Sequence, residues 1–197
     1  LFTRIAAGVT LVLMGIIIVY LIQKNKRNKR LFEELMKRNT ANRPFSSDNN
    51  SIEETELEVP EIIEVDSNEK PARKISPEIE EAIVKKLDKF ELNKKYLEKD
   101  MTVRKMAAIL NTNDKYVTKI IAKHRGKGTI EYINELKLDY IIEMLKTDSR
   151  YRNYTHKALG DEAGFRTTQR FTRAFKSHTG ITPTYFSYKL KKSATTD

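Results

Sequence analysis

The sequence predicts an all-α protein with two helix-turn-helix subdomains bridged by a long helix, preceded by a single transmembrane helix and a disordered acidic linker. Apolar residues recur at three- and four-residue spacing through most of residues 76–190, which is the period of helices that bury one face. Turns containing Asn, Thr and Gly separate these helical stretches. A run of 18 uncharged, mostly apolar residues lies near the start of the chain.

The first predicted element is a transmembrane helix over residues 5–22, after a short flank at residues 1–4. The uncharged run from Ile5 to Ile22 would span about 27 Å as a helix, which is enough for a hydrocarbon core. Five basic residues follow within residues 23–30, whereas only Arg4 precedes the run. The positive-inside rule therefore predicts a single-pass protein of the inner (cytoplasmic) membrane, with the C-terminal part in the cytoplasm.

Two other interpretations of this run are weaker. A signal peptide would carry its basic residues before the apolar run and a small-residue cleavage site after it, and a buried core helix of this length would rarely lack polar residues. The chain begins with Leu1 rather than Met, so we expect it to be the C-terminal part of a longer protein whose sensor domain lies upstream.

Charge divides the rest of the chain. A basic juxtamembrane helix is predicted over residues 23–38, and residues 39–75 form a disordered acidic linker with nine acidic and no basic residues between positions 48 and 69. Residues 70–197 carry 28 basic and 16 acidic residues, a balance that favours a polyanion partner over a merely soluble helical domain. The linker is either a solvated spacer or a segment that docks transiently on the basic domain.

The first unit of the basic domain, which we place at residues 76–190 with a tail at 191–197, begins with a lead helix near Ser76 and Pro77. A short helix starts near Thr102, a turn at residues 111–113 follows, and a second helix runs from Asp114 to about Lys123. That second helix turns Val117, Ile120 and Ile121 inward by its spacing. Its other face presents Lys115, Tyr116, Thr118 and Lys119, although Tyr116 could equally pack against the lead helix.

A longer helix from Thr129 to about Lys146 follows Gly126 and Gly128, and its broad apolar face can pack against both units. We expect it to hold two recognition helices near one DNA turn apart, about 34 Å. Its acidic residues Glu131, Glu135, Asp139 and Glu143 recur every four positions, which indicates a solvated face.

The second unit repeats the pattern. Thr155 can cap a short helix, Gly164 can end it with a positive φ, and Thr167 can cap a second recognition helix. Phe171, Ala174 and Phe175 face inward by spacing. The outer face carries residues that can pair with base edges in a major groove, namely Thr168, Gln169, Arg170 and Arg173.

The most specific pattern lies in this second unit. The order Ala163–Gly164–Phe165, then residues 171–176 (FTRAFK), then 180–183 (GITP) and Tyr185 resembles the signature of the AraC/XylS family of bacterial transcription regulators. The resemblance covers about residues 96–186, although Lys137 stands where the family usually has Arg. It implies an all-helical, double helix-turn-helix domain that binds double-stranded DNA. The implied base-reading positions are Lys115, Thr118, Lys119, Thr168, Gln169 and Arg173.

The resemblance also bears on the N-terminal half, because a membrane segment preceding this domain is similar to a Bacteroidetes-type arrangement with a sensor upstream. The expected function is a membrane-tethered, sequence-specific transcription regulator that reads two adjacent major-groove segments with the helices near 114–123 and 168–177. The expected partners are double-stranded DNA and a membrane, through residues 5–22. RNA polymerase and a second copy of the chain stay open as further partners.

Two other function classes compete with this one. An enzyme is disfavoured because the three histidines share no metal-ligand spacing, no cysteine is present, and no phosphate-binding loop or nucleophile motif is found. We therefore expect no catalytic residue, no metal site and no cofactor. The alternative is a membrane-anchored helical protein-interaction module without specific DNA binding.

Overall fold

A computed structural model describes residues 2–38 and 75–194, with side chains described from residue 13 onward in the first helix. The described part is all-helical, which confirms the predicted class. Its helices are α1 (Phe2–Lys37), α2 (Pro77–Leu92), α3 (Val103–Ile109), α4 (Asp114–Arg125), α5 (Thr129–Thr147), α6 (His156–Glu162), α7 (Thr168–Thr179) and α8 (Pro183–Ser193). Short 3-10 turns lie at Lys95–Leu97 and Tyr151–Asn153.

Hydroxyl and amide side chains cap most of these helices. Ser76, Thr102, Asn113, Thr155, Thr167 and Thr182 each accept a hydrogen bond from a backbone N–H in the first turn of the helix that follows. Such caps satisfy donors that the helix itself leaves unpaired. The helix starts predicted from these residues are therefore fixed by local chemistry.

Two apolar cores lie on either side of α5. The first core is formed by residues of α2, α3, α4 and the first half of α5, with Leu87, Met106 and Val117 fully buried. The second core is formed by residues of the second half of α5 with α6, α7 and α8, and its fully buried members include Ile141, Phe171 and Phe186. The single helix α5 thus belongs to both units, as its broad apolar face predicts.

The helix α1 runs unbroken through the predicted span and the basic juxtamembrane segment. Its side chains from Leu13 to Ile22 are 50–61% exposed, whereas Leu35 is buried in the second core. Among the described residues, no helix combines the length and apolar character needed to cross a membrane. The predicted span includes residues 5–12, whose side chains lie outside the description, and the predicted linker lies outside it apart from Ile75.

One expectation about a helix face was wrong, and two apolar residues at helical spacing lie outside the core. Ile79 and Ile130 continue apolar stripes in the sequence, yet they are 46% and 51% exposed, because each lies in the first turn of its helix, beyond the edge of the first core. The acidic face of α5 is only partly solvated: Glu135 pairs with Lys127, and Asp139 lies 3.1 Å from His178 of α7.

Candidate nucleic-acid interface

The turn of the first unit is built by local hydrogen bonds. Asn111 follows α3 with a φ of 52°, in the left-handed region, and the N–H of Thr112 donates back to Ala107 O at 2.9 Å. This long return bond is typical of helix ends that close with a left-handed residue. Two residues later the Oδ1 of Asn113 accepts from Tyr116 N at 2.9 Å and starts α4.

The second unit uses the same chemistry with glycine in place of asparagine. Gly164 has a φ of 69°, and the N–H of Phe165 donates to Gly160 O at 2.8 Å. Thr167 then caps α7 by accepting from Arg170 N at 3.2 Å. Both units therefore present the first turns of a second helix after the same kind of closed turn, which is the geometry of a recognition helix.

The polar face of α4 carries four predicted site residues. Lys115, Thr118 and Lys119 are exposed and lie at i, i+3 and i+4, so they share one face. Tyr116 is half-buried and packs against the first core. The hydroxyl of Thr118 donates to Asp114 O at 2.9 Å, so its methyl group is the part left for a contact such as that with a thymine methyl.

Cations along α4 fall into two groups. Lys123 binds Glu80 at 2.6 Å and Arg125 binds Glu91 at 2.8 Å, so the C-terminal half of the helix uses its charges to hold α2. Within the part of the chain that the structure describes, Lys115 and Lys119 have no carboxylate partner. The uncompensated positive charge therefore lies at the N-terminal half of α4, where a recognition helix meets base edges.

The predicted site residues of the second unit lie on α7. Gln169, Arg170 and Arg173 are exposed and Thr168 is half-buried, and in the described ranges neither arginine has an acidic partner. The hydroxyl of Thr172 donates within the helix, to Thr168 O at 3.0 Å. The four predicted site residues of the second unit thus lie on one helix, and all of them except Thr168 are exposed.

A shallow groove of about 380 Å³ runs beside α7. Gln169 and Arg173 line it together with residues that the sequence analysis did not assign to the site, which are His156, Thr172, Lys176 and Thr182–Thr184. His156 Nε2 lies 3.1 Å from Thr184 Oγ1 and so joins the starts of α6 and α8. The sequence signal for these groove residues is the pair of capping threonines, Thr155 and Thr182. Each caps a helix that begins beside α7.

Lys137 joins the two units, a role that its position in the sequence did not indicate. Its side chain is buried, and Nζ donates to Gly164 O at 2.6 Å while lying 5.5 Å from the centre of the Phe165 ring. Nζ also lies 3.4 Å from Glu98 O, in the segment before α3. Burial lowers the pKa of this amine to about 8, and Asp100 partly offsets that effect.

Surface ion pairs reinforce the same contact between the units. Lys99 lies 3.4 Å from Asp161, and Arg166 lies 4.0 Å from Asp100. Because these pairs are exposed, each contributes little, and the buried Lys137 contact fixes the arrangement. Besides the shared helix α5, the two units are therefore joined by one buried amine and two exposed ion pairs.

Comparisons with known proteins support this description. Residues 106–187 match the model of a family described as a helix-turn-helix domain. Over 90 residues the chain is 30% identical to the uncharacterized HTH-type transcriptional regulator YobQ of Bacillus subtilis (strain 168). The aligned residues make up 46% of this chain and 36% of that protein. The chain thus spans about a third of the length of this curated relative.

Solved structures are also similar. The C-terminal domain of AraT, a response regulator from Geobacillus stearothermophilus, matches with 19% identity over 59% of this chain and 88% of that chain, at a TM-score of 0.48. A transcriptional regulator described with AraC-type DNA-binding domain proteins, from Chromobacterium violaceum, matches with 16% identity over 56% and 92% of the two chains, at a TM-score of 0.46. The coarser part of the prediction, a helix-turn-helix domain in the C-terminal part of the chain, is confirmed.

Proposed function

We propose that this chain is a DNA-binding transcription regulator that inserts the N-terminal halves of α4 and α7 into two adjacent segments of a major groove. The observation that carries the proposal is the distribution of charge on two similarly built units. In each, the cations at the start of the second helix have no acidic partner among the described residues, whereas Lys123 and Arg125 at the end of α4 are paired.

We propose roles for individual residues that fit this distribution of charge. Lys115, Lys119, Gln169 and Arg173 have the donors that pair with guanine or adenine edges. Thr118 offers a methyl group for thymine, and Arg170 and Lys176 are suited to phosphates. Tyr116 and Thr168 are half-buried, so we propose that they position their helices as well as contact DNA.

The relative named an HTH-type transcriptional regulator supports the same assignment. The alternative, a helical protein-interaction module, has no comparable observation in its favour. A protein-interaction module would not require unpaired cations at the starts of two helices.

The proposal also includes tethering to a membrane through the apolar first half of α1. Its support is the uncharged sequence from Ile5 to Ile22 and the exposure of large apolar side chains between Leu13 and Ile22. Apolar surface of this extent is unfavourable in water and is suited to lipid. The basic residues that follow would then lie on the cytoplasmic side.

The DNA proposal is tested with duplexes selected from a random-sequence pool by the full chain in mild detergent, followed by mobility shift. We expect Lys119→Ala to weaken binding by about 1–3 kcal/mol and to relax sequence preference at one base pair, because a base contact is lost. Binding by the wild-type chain should weaken steeply with added salt, since phosphate contacts release counterions.

The matched control is Lys123→Ala, which removes the same side chain one turn further along α4. Because Lys123 pairs with Glu80 at 2.6 Å, its removal should leave sequence preference unchanged. The regulator proposal fails if no duplex is enriched over the starting pool at low salt. The assigned reading face fails if both variants change preference equally.

A further inference from the structure

The C-terminal turns of α1 pack against the second unit. Leu35 is only 8% exposed and belongs to the second core, and Leu31 and Phe32 pack against the same core. Met36, next to Leu35 on the chain, is 42% exposed. The helix thus has a buried face directed at α8 and the end of α7, and an exposed face opposite to it.

The approach of α1 to the turn between α7 and α8 is close. A Cβ placed on Gly180 would lie 2.8 Å from Leu31 Cδ1, so a side chain at this position would displace Leu31. Gly180 also ends α7 with a φ of 74°. One glycine therefore both closes the recognition helix and provides the space that α1 occupies.

The residue that follows α1 is held as well. Lys146, near the end of α5, donates from Nζ to Arg38 O at 2.9 Å, which satisfies a carbonyl left unpaired by the helix end. Burial in this contact lowers the pKa of Lys146. The contact is thus made by apolar side chains over little more than one helical turn (residues 31–35) and by a polar bond after the helix end.

Five aromatic rings connect α1 to the recognition helix. Phe32 packs on Phe186 with ring centres 5.6 Å apart, and Phe186 packs on Phe175 at 5.9 Å. Phe175 contacts Phe171 at 5.8 Å, and Phe171 contacts Phe165 at 5.6 Å. Phe171 and Phe175 are the inward side chains of α7, opposite to the face that carries Gln169 and Arg173, so packing at α1 continues to the back of that helix.

We propose that residues 31–38 are a docked element that completes the core of the second unit, so that displacement of α1 changes the order of α7 and hence DNA affinity. The first unit has its own core, in which α1 takes no part. The effect should therefore fall on α7 and leave α4 unchanged. This inference rests on the proposed DNA-binding function for its regulatory consequence, and on the packing alone for the docking.

Docking is tested in the full chain, in mild detergent, by thiol labelling. The chain contains no cysteine, so Leu35→Cys and Met36→Cys each introduce a single thiol. If the helix is docked, the thiol at position 35 should react at least about tenfold more slowly than the one at position 36, because only the former is protected by the core. Equal rates of labelling would overturn the docking.

Coupling is tested by hydrogen exchange on two charge variants of the full chain. Leu35→Asp places a carboxylate in the second core, which should undock α1 and raise exchange in α7 at least about tenfold, with exchange in α4 unchanged. Met36→Asp adds the same charge on the exposed face and should leave both helices as in the wild type. Unchanged exchange in α7, or an equal rise in α4, would overturn the coupling.

The regulatory consequence is read on the selected duplexes by mobility shift. Leu35→Asp should bind about tenfold more weakly than Met36→Asp. If the two variants bind equally while α7 differs in exchange, the regulatory part of the inference is wrong. If the wild-type chain binds no duplex, the proposed function fails, and the labelling and exchange results still decide the docking.

Discussion

At the scale of single residues, Lys137 has the most unusual environment in the described part of the chain. It carries a charge in a position that is only 4% exposed, and its partners are two backbone carbonyls and a ring, with no carboxylate in hydrogen-bond contact. Burial disfavours the charged form, which is why the pKa falls from 10.5 to about 8.

This pKa predicts a rise in stability with pH. Between pH 8 and 10.5 the unfolded chain binds the Lys137 proton more tightly than the folded chain, so the free energy of unfolding increases with pH in that window. We expect a gain of about 1–2 kcal/mol between pH 8 and pH 9.5. It would be measured by denaturant unfolding of the chain in mild detergent.

The control is Lys137→Met, which cannot titrate at this position. Its stability should rise less steeply over the same range, with only smaller contributions such as that of Lys146, whose pKa is also lowered. Tyr132 has a raised pKa and would oppose the gain only as the pH approaches 10. Equal slopes for the wild type and the variant would contradict the assignment.

At the scale of secondary-structure elements, the limits of the helices follow from local residue types. Thr155 and Thr167 are predicted as helix caps and cap α6 and α7 in the structure, because capping is a contact over three residues. Contacts over longer separations could not be predicted in this way. The burial of Lys137 depends on Glu98 and Gly164, which lie 39 and 27 residues away.

The same difference between local and long-range contacts applies to the site residues. Spacing along α4 and α7 was enough to place Lys115, Lys119, Gln169 and Arg173 on outer faces. Spacing could not show that Lys123 is paired with Glu80, because that contact joins residues 43 apart. Nor could it show that the acidic residues of α5 meet Lys127 and His178, since both partners lie on other elements.

The turn between α6 and α7 gives a prediction at this scale. Gly164 has a φ of 69°, and a Cβ there would lie 2.0 Å from Leu97 O. Gly164→Ala should therefore lower the free energy of unfolding by at least about 2 kcal/mol, from backbone strain and from displacement of the first unit. Thermal unfolding followed by circular dichroism would measure the change.

Gly128 is the matched control for this substitution. It precedes α5 with a φ of −66°, and a Cβ there would meet no atom within 4 Å. Gly128→Ala should leave the free energy of unfolding within about 0.5 kcal/mol of the wild type. A similar loss in both variants would contradict the role given to the turn.

At the scale of the whole molecule, the two halves of α1 differ in what surrounds them. The described side chains of residues 13–22 belong to neither core, whereas Leu35 belongs to the second core and Leu31 and Phe32 pack against it. The sequence predicts both helical segments, since each is uninterrupted by proline or glycine pairs. It could not show which unit receives the second segment, because that depends on packing against residues more than 100 positions later.

The proposed membrane attachment gives the prediction at this scale. In cells that express the full chain, the protein should remain in the membrane pellet after alkaline carbonate extraction. Ile16→Asp combined with Ile18→Asp should release it, because each charge in the middle of a span costs about 2.5–3.5 kcal/mol on insertion. Met36→Asp, on the exposed face of the same helix, should stay in the pellet. Release of the wild-type chain by carbonate would argue against the attachment.

The docking of α1 on the second unit also sets an order for biosynthesis. Leu35 leaves the ribosome long before Leu190, its fellow member of the second core, and at about 5–20 residues per second the interval is roughly 10–30 s. During that time the first unit can fold around its own core, whereas the apolar side chains of residues 31–35 wait for their partners. The proposed second recognition helix, α7, therefore completes its packing last. A chain interrupted before α8 would keep a complete core only in the first unit.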